Sequence, residues 1–341
     1  MTTLLAGDIG GTKTLLALYR LEEGGALVPL RRQRFASADW ADLAPMVGAF
    51  LGEEAPPAAA CLAVAGPVQG GRARLTNLPW RLEASALASA CGIAALELEN
   101  DFAVLVYGLP HLEPSQLAPL WEGQPEPAAP LLIVGAGTGL GVAYGVPTPA
   151  GLQAVASEGG HGEFAPRSER EWLLKQWLRL DLDLERVSIE RVVSGTGLGH
   201  ITRWLLACRR EGEPHPLGAV AERWHRALLE GSAAAEDLPA ATARAAAAGD
   251  SLAGEALELW LSAYGSVCGD LALTGLSRGG LFLAGGTAAK LLPQLRGEGF
   301  RRAFLDKGRL RLQLEGLPIT AVVDEDLGLF SAACRARMLG R

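Results

Sequence analysis

Leu4-Leu5-Ala6-Gly7-Asp8-Ile9-Gly10-Gly11-Thr12-Lys13-Thr14-Leu15-Leu16-Ala17-Leu18-Tyr19 joins two short apolar runs through a glycine-rich turn. The pattern predicts a strand over residues 4–6, a tight turn and a second strand over residues 15–19. Gly7, Asp8, Ile9, Gly10, Gly11 and Thr12 have the makings of a phosphate turn, because glycines let backbone N–H groups approach anionic oxygens and the Thr12 hydroxyl adds a donor. Asp8, at the end of the strand, could orient a hydrated Mg²⁺ that bridges phosphates. An ordinary hairpin with a capping aspartate uses the same residues, so this turn alone does not decide the chemistry.

A second stretch echoes the first. Setting Thr12 against Thr138 aligns residues 5–12 with residues 131–138, and Ala17 then falls on Ala143. Gly135-Ala136-Gly137-Thr138-Gly139-Leu140-Gly141 therefore offers a second phosphate turn, although chance similarity of apolar strands also produces such a match. A third glycine pair, Gly285-Gly286, closes the apolar run 280–284. Neither G-x-G-x-x-G nor G-x-x-x-x-G-K-[ST] occurs. Three glycine turns, each after an apolar strand, predict a nucleotide held in a cleft between two related halves.

Strands are further expected at residues 59–65, 96–98, 131–135, 141–146, 280–284 and 319–323, with helices at 84–90, 102–109, through most of 168–273, and at 329–338. The result is an α/β chain of two related domains, the second carrying an inserted helical layer with a Pro/Gly-rich break at residues 211–218. The first domain is expected over residues 1–111, completed by about 319–341, and the larger one over 112–318. The final helix is expected to pack back on the first domain.

The bulk composition agrees. The 341 residues are 49% apolar, enough for two cores. Lys and Arg number 31 against 38 Asp and Glu, for a net charge of −7, and no stretch concentrates base, so nucleic acid is not an expected partner. MTTLLAGDIGG has no basic n-region and no long apolar h-region, which predicts a cytoplasmic chain. The uncharged run 127–157 is punctuated by Gly and Pro and is read as two short strands and a turn, not a membrane span. Cys61, Cys91, Cys208, Cys268 and Cys334 form no C-x-x-C pair and are read as reduced core thiols.

Other residues carry candidate chemistry. Asn100-Asp101 stands where a strand gives way to a helix: Asp101 could take a proton from an attacking hydroxyl and Asn100 could donate to and accept from a sugar, or the pair could simply cap the helix. Glu158-Gly159-Gly160-His161 puts a carboxylate and an imidazole beside glycines that permit close approach of vicinal hydroxyls, though a lone histidine also serves structure. Glu190 is a further acceptor, or else a first-turn helix acid or a surface ion pair with Arg191.

Taken in order, these segments resemble the bacterial glucokinase family. The matching stretches are Gly7 to Thr12, Leu75-Thr76-Asn77-Leu78-Pro79-Trp80, Glu99 to Phe102, Gly135 to Gly141, Glu158 to His161 with Phe164-Ala165-Pro166, Glu190 to Val192 with Ser194-Gly195, Phe282 to Gly286, Gly299 to Gly308, and Asp326 to Leu329. The resemblance implies an α/β fold of two actin-like (ribonuclease H-like) domains flanking a ligand cleft, and a cytoplasmic homodimer making glucose 6-phosphate for glycolysis from glucose, ATP and Mg²⁺. By carry-over, Asp101 is the catalytic base and Asn100, Asp101, Glu158, His161 and Glu190 contact the sugar. Gly7 to Thr12 and Thr138-Gly139 hold phosphates, and Gly285-Gly286 the adenosine. Thr287 departs from the branched apolar residue more usual there. Lys13 resembles a related repressor and sugar-kinase family, but that family's Cys-rich zinc cluster has no counterpart after His161, and no structural zinc is expected.

In-line phosphoryl transfer follows from this reading, with the cleft closing to exclude water. The alternatives are a kinase of mannose, fructose or an amino sugar, a non-catalytic sugar-sensing protein of the same fold, and an actin-like filament former.

Overall fold

The computed structural model describes residues 2–75, 78–209, 213–232, 236–324 and 326–340; Thr76 and Asn77 of the 75–80 stretch, and Glu211 and Gly212 of the expected break, lie outside the described residues. β1 (Thr2–Ile9) pairs antiparallel with β2 (Lys13–Leu21), which pairs antiparallel with β3 (Leu27–Ala36). After α1 (Leu43–Leu51), β4 (Ala59–Val64) joins β1 in parallel. A small antiparallel sheet of β5 (Val68–Gln69), β6 (Arg72–Arg74) and β7 (Arg81–Glu83) follows, then α2 (Ala84–Cys91), and β8 (Ala95–Asn100) pairs parallel with β4. The first sheet thus has the order β3-β2-β1-β4-β8.

The second sheet repeats that order. β9 (Leu117–Trp121) is an added edge, and β10 (Leu131–Ala136), β11 (Leu140–Thr148) and β12 (Gly151–Ser157) form the meander. β13 (Gly280–Ala284) and β14 (Ile319–Val322) continue it in parallel, giving β12-β11-β10-β13-β14-β9. A three-stranded meander followed by two parallel strands occurs twice, as the echo of Thr12 by Thr138 predicts, and this is the topology of two actin-like domains.

Burial explains the strand composition. Every residue of β4 is buried, as expected for a parallel strand covered on both faces. Leu5, Ile9, Leu62 and Val64 turn to one side and pack with Met46 and Phe50 of α1 and Leu87 of α2. Their neighbours Leu4, Ala6, Cys61 and Ala63 turn to the other, where the last helix supplies Leu329, Ala332 and Cys334.

The insertion between β12 and β13 contains α3 (Glu169–Asp181), α4 (Gly195–Ala207), α5 (Pro216–Glu230), α6 (Leu238–Ala247) and α7 (Ser251–Thr274). Ser168, Ser194 and Asp250 cap α3, α4 and α7 with their side chains. Beyond β13 come α8 (Gly286–Lys290), α9 (Leu292–Leu295), α10 (Glu298–Leu305), α11 (Leu312–Glu315) and, after β14, α12 (Leu327–Leu339). The chain divides into two compact units, Met1–Leu117 with Ala143–Ala156 and Asp324–Arg341, and Ala118–Val142 with Ser157–Val323. The return to the first unit begins at Asp324 and not near 319, because Ile319 pairs with Leu281 inside the second sheet.

Three further expectations are corrected. Residues 102–109 form 3-10 turns (Ala103–Tyr107 and Leu109–His111) instead of an α-helix; Asn100 tightens the start of the first turn and Pro110 sits in the second. Cys208 is exposed and Cys91 half-buried, so only Cys61, Cys268 and Cys334 are core thiols, and all five are free. The run 127–157 holds three strands, β10, β11 and β12, where two were expected; no helix among the described residues is long and apolar enough to cross a membrane.

α7 and α10 touch at backbone level: a Cβ on Gly265 would lie 2.1 Å from the Phe300 carbonyl oxygen. Gly265→Ala should therefore destabilise the second unit by about 1–3 kcal/mol through overpacking, read as a lower urea midpoint. An unchanged midpoint would contradict the contact.

Candidate active site

In the first unit the parallel register aligns Ile9 with Val64 and Val64 with Asn100. Strands β1 and β8 therefore release their following turns at the same sheet edge, where α/β folds bind ligands. Gly7, Asp8 and Ile9 lie on β1 itself, with the turn confined to Gly10, Gly11 and Thr12. Gly10 N–H closes the hairpin on the Lys13 carbonyl at 2.9 Å. Ser37 pins the turn from outside, its hydroxyl donating to Gly10 O at 2.8 Å and its amide to Thr12 O at 3.1 Å. The amides of Gly11 and Thr12 have no backbone partner among the described residues.

Asn100 is fully engaged. Its Oδ1 accepts from the amides of Phe102 (3.1 Å) and Ala103 (2.9 Å), while its Nδ2 donates to Gly66 O (3.1 Å) and Asp101 Oδ1 (3.0 Å). The capping role open to the Asn100-Asp101 pair thus falls to Asn100, which at the same time orients Asp101. The Asp101 side chain reaches solvent, yet desolvation by the surrounding protein, followed by the negative field of Asp8, pushes its pKa up to about 6. Burial also raises the pKa of Asp8, opposed by Lys13 and then Arg32. Asp8 makes no ion pair or side-chain hydrogen bond at contact distance among the described residues.

Behind Asn100 lies a network that sequence reading missed. Tyr107 donates to Glu99 at 3.2 Å and accepts from Gln153 Nε2 and the Ala154 amide at 3.2 and 3.4 Å. Arg335 of α12 forks onto Glu97 at 2.8 and 3.0 Å and lies over the Tyr107 ring. Burial, then Glu97, pushes the Glu99 pKa up to about 7.

In the second unit Glu158, His161 and Glu190 come together. His161 lies 3.7 Å from Glu158 Oε2 and 3.5 Å from Glu190 Oε1. These contacts are long for hydrogen bonds, so both carboxylates keep acceptor capacity for hydroxyls. Glu190 does stand in the first turn of a helix, the 3-10 segment Ile189–Arg191, but it leans toward His161 and forms no ion pair with Arg191. Backbone bonds from Ile189 to Gly162 O (2.8 Å) and from Phe164 to Val187 O (2.9 Å) bind the two segments together. A Cβ on Gly160 would strike Leu140 O at 2.3 Å, so that position requires glycine, whereas one on Gly139 would meet Glu190 Oε2 at 2.8 Å and displace the acid.

β10 and β13 align Gly135 with Ala284, bringing the Thr138-Gly139 and Gly285-Gly286 turns to one edge. Gly285 has φ +86°, a left-handed conformation suited to glycine. Thr196 donates to Thr138 O at 2.9 Å. Beside these turns opens a cavity of about 610 Å³, the size of a small-molecule site. Thr138, Thr196, Thr287 and Lys290 give it polar lining, and Trp224, Pro239, Ala240 and Trp260 an apolar one. Gly199 lets the Trp224 ring approach α4 to within 2.7 Å of a would-be Cβ. The inserted helices thus wall the cavity, which their sequence did not announce.

Asn100→Ala should cost about 1–2 kcal/mol of stability by stranding two amides and one carbonyl, measured by denaturant unfolding at neutral pH; no loss would contradict the capping geometry.

A sequence profile described as Glucokinase matches residues 5–339. The glucokinase of Nostoc punctiforme is 39% identical over 99% of this chain and 100% of its own length. A crystal structure of a glucokinase from an Antarctic psychrotroph superposes with a TM-score of 0.80 at 30% identity, covering 98% of this chain and 99% of that one. A ROK-family glucokinase from Streptomyces griseus, solved with glucose and AMPPNP, shares the fold at a TM-score of 0.62 and 20% identity over 98% and 99% of the two chains. With the profile spanning nearly every residue and a full-length relative at that identity, the chain belongs to the glucokinase family of sugar kinases.

Proposed function

We propose that the protein transfers the γ-phosphoryl group of MgATP to the 6-hydroxyl of glucose, with Asp101 as the general base. The observation that carries this reading is the Asp101 carboxylate, oriented by Asn100 and raised to a pKa of about 6. A base of that strength is ionised at neutral pH and still accepts a proton as the hydroxyl attacks. Asn100 belongs to the sugar-side groups chiefly through its grip on Asp101. Glu158, His161 and Glu190 accept from and donate to the remaining hydroxyls, which suits their open hydrogen-bonding capacity.

The cavity beside Thr138-Gly139 and Gly285-Gly286 suits the nucleotide, in keeping with the AMPPNP bound by the Streptomyces griseus neighbour. The Gly10 to Thr12 turn offers unpaired amides to phosphate oxygens, with Gly7, Asp8 and Ile9 supporting it from the strand. Mg²⁺ fits Asp8, a desolvated carboxylate without a contact partner, which would hold the ion through water while the ion offsets charge on the phosphates. A cytoplasmic homodimer is the proposed location and assembly, on family resemblance alone.

A coupled assay with MgATP and a panel of glucose, mannose, fructose and glucosamine tests the substrate: kcat/KM is expected to be highest for glucose, and a preference for another hexose would reassign the acceptor. Asp101→Ala should lower kcat by roughly 10²- to 10⁴-fold with the fold intact; near-native turnover would refute the base.

The active form is the carboxylate, so protonation as pH falls through about 6 removes activity. Below that point kcat/KM for glucose should drop about tenfold per pH unit. A profile flat down to pH 4.5 would contradict the shift.

A further inference from the structure

Among the described residues, the cavity of the second unit has two charged residues in its wall, Lys290 and Asp237. They stand on elements from different layers. Lys290 ends α8, which packs on β10, β13 and β14 of the sheet, whereas Asp237 precedes α6, which packs among α4, α5 and α7. Anionic phosphates are drawn to the lysine and the glycine turns and repelled by the aspartate. The nucleoside is left to the Asp237 side of the cavity, where Trp224, Pro239 and Ala240 offer apolar surface to a flat base.

Asp237 has no task inside the fold. It occupies the N-cap position of α6, and its carbonyl accepts from Ala241 N–H at 2.9 Å, but its carboxylate accepts no capping hydrogen bond. Among the described residues it has no ion pair and no side-chain hydrogen bond. A carboxylate offers only acceptors, so its ligand must bring donors. The vicinal 2′- and 3′-hydroxyls of a ribose present two donors spaced for the two oxygens, and hydrogen bonds to a charged acceptor are the strong ones.

We propose that Asp237 binds the ribose diol of the phosphoryl donor and makes the enzyme select ribonucleotides over deoxyribonucleotides. The inference rests on the nucleotide-donor reading above and adds the group that reads the sugar of that donor.

The test is initial-rate kinetics at saturating glucose with ATP, 2′-deoxyATP and 3′-deoxyATP, for wild type, Asp237→Ala and Asp237→Asn. Wild type should show a KM roughly tenfold higher for each deoxy donor, the loss expected for one charge-assisted hydrogen bond. In Asp237→Ala, which loses both bonds, the KM for ATP should rise roughly a hundredfold, past the wild-type deoxy values, and the ratio between donors within the variant should fall to about one. Asp237→Asn, which keeps one acceptor oxygen, should fall between. The KM for glucose is the control for a general loss of structure and should not move.

Quenching of tryptophan fluorescence by ADP and 2′-deoxyADP, with Trp224 and Trp260 in the wall, should give the same ratios without turnover. Equal KM values for ATP and 2′-deoxyATP in wild type would overturn the proposal, as would a ratio unchanged in Asp237→Ala. A variant that lost discrimination between ATP and ITP instead would also overturn it, since the carboxylate would then face the base. If wild type used no nucleotide and its fluorescence ignored ADP, the donor reading itself would fall, and the two failures are thereby distinguished.

Discussion

Two carboxylates, Asp8 and Asp101, are held near each other at the ends of the parallel strands β1 and β8, and the field of the first acts on the second. Like charges do not gather spontaneously. What keeps them together is the register that ends β1, β4 and β8 at one level, reinforced by the bond from Asp101 N–H to Val64 O at 3.0 Å. Asn100 completes the arrangement by spending its whole hydrogen-bonding capacity on the turn that carries Asp101. The register in turn depends on β4, whose six buried residues pack against layers on both faces. Fold energy from two apolar layers thus holds an electrostatic arrangement that is unfavourable by itself.

The second unit solves a different problem with related topology. Its meander and parallel strands repeat the first sheet, but its turns open toward a cavity walled by inserted helices. The acids Glu158 and Glu190 flank His161 at distances that leave them receptive, and Gly139 leaves room for Glu190 beside the turn. One glycine therefore serves two neighbours, the turn that contains it and the acid that leans on it.

Much of this was legible in the sequence where local chemistry and strand pattern coincide. Gly10-Gly11-Thr12, Gly137-Thr138-Gly139 and Gly285-Gly286 each follow a buried apolar strand, so the turns could be placed and their kinship inferred. β3 was missed because an edge strand needs little burial: Arg31, Arg32 and Arg34 are exposed, and Phe35 is its one buried residue. Residues 102–109 read as a helix by composition, yet the Asn100 cap draws them into a tighter turn. The orientation of Glu190 depends on the backbone bond from Ile189 to Gly162, 27 residues earlier in the chain, which has no local signature. The cavity walls come from α4, α5, α6 and α7, so no contiguous stretch records them.

The account stands on the claim that burial and Asp8 together raise Asp101 into the range of a working base. The direct measurement is an NMR titration of the Asp101 carboxyl carbon in wild type and in Asp8→Asn. Titration near pH 6 in wild type, moving down in the variant, is the predicted result; a wild-type midpoint at the ordinary value of 3.8, indifferent to residue 8, would contradict it.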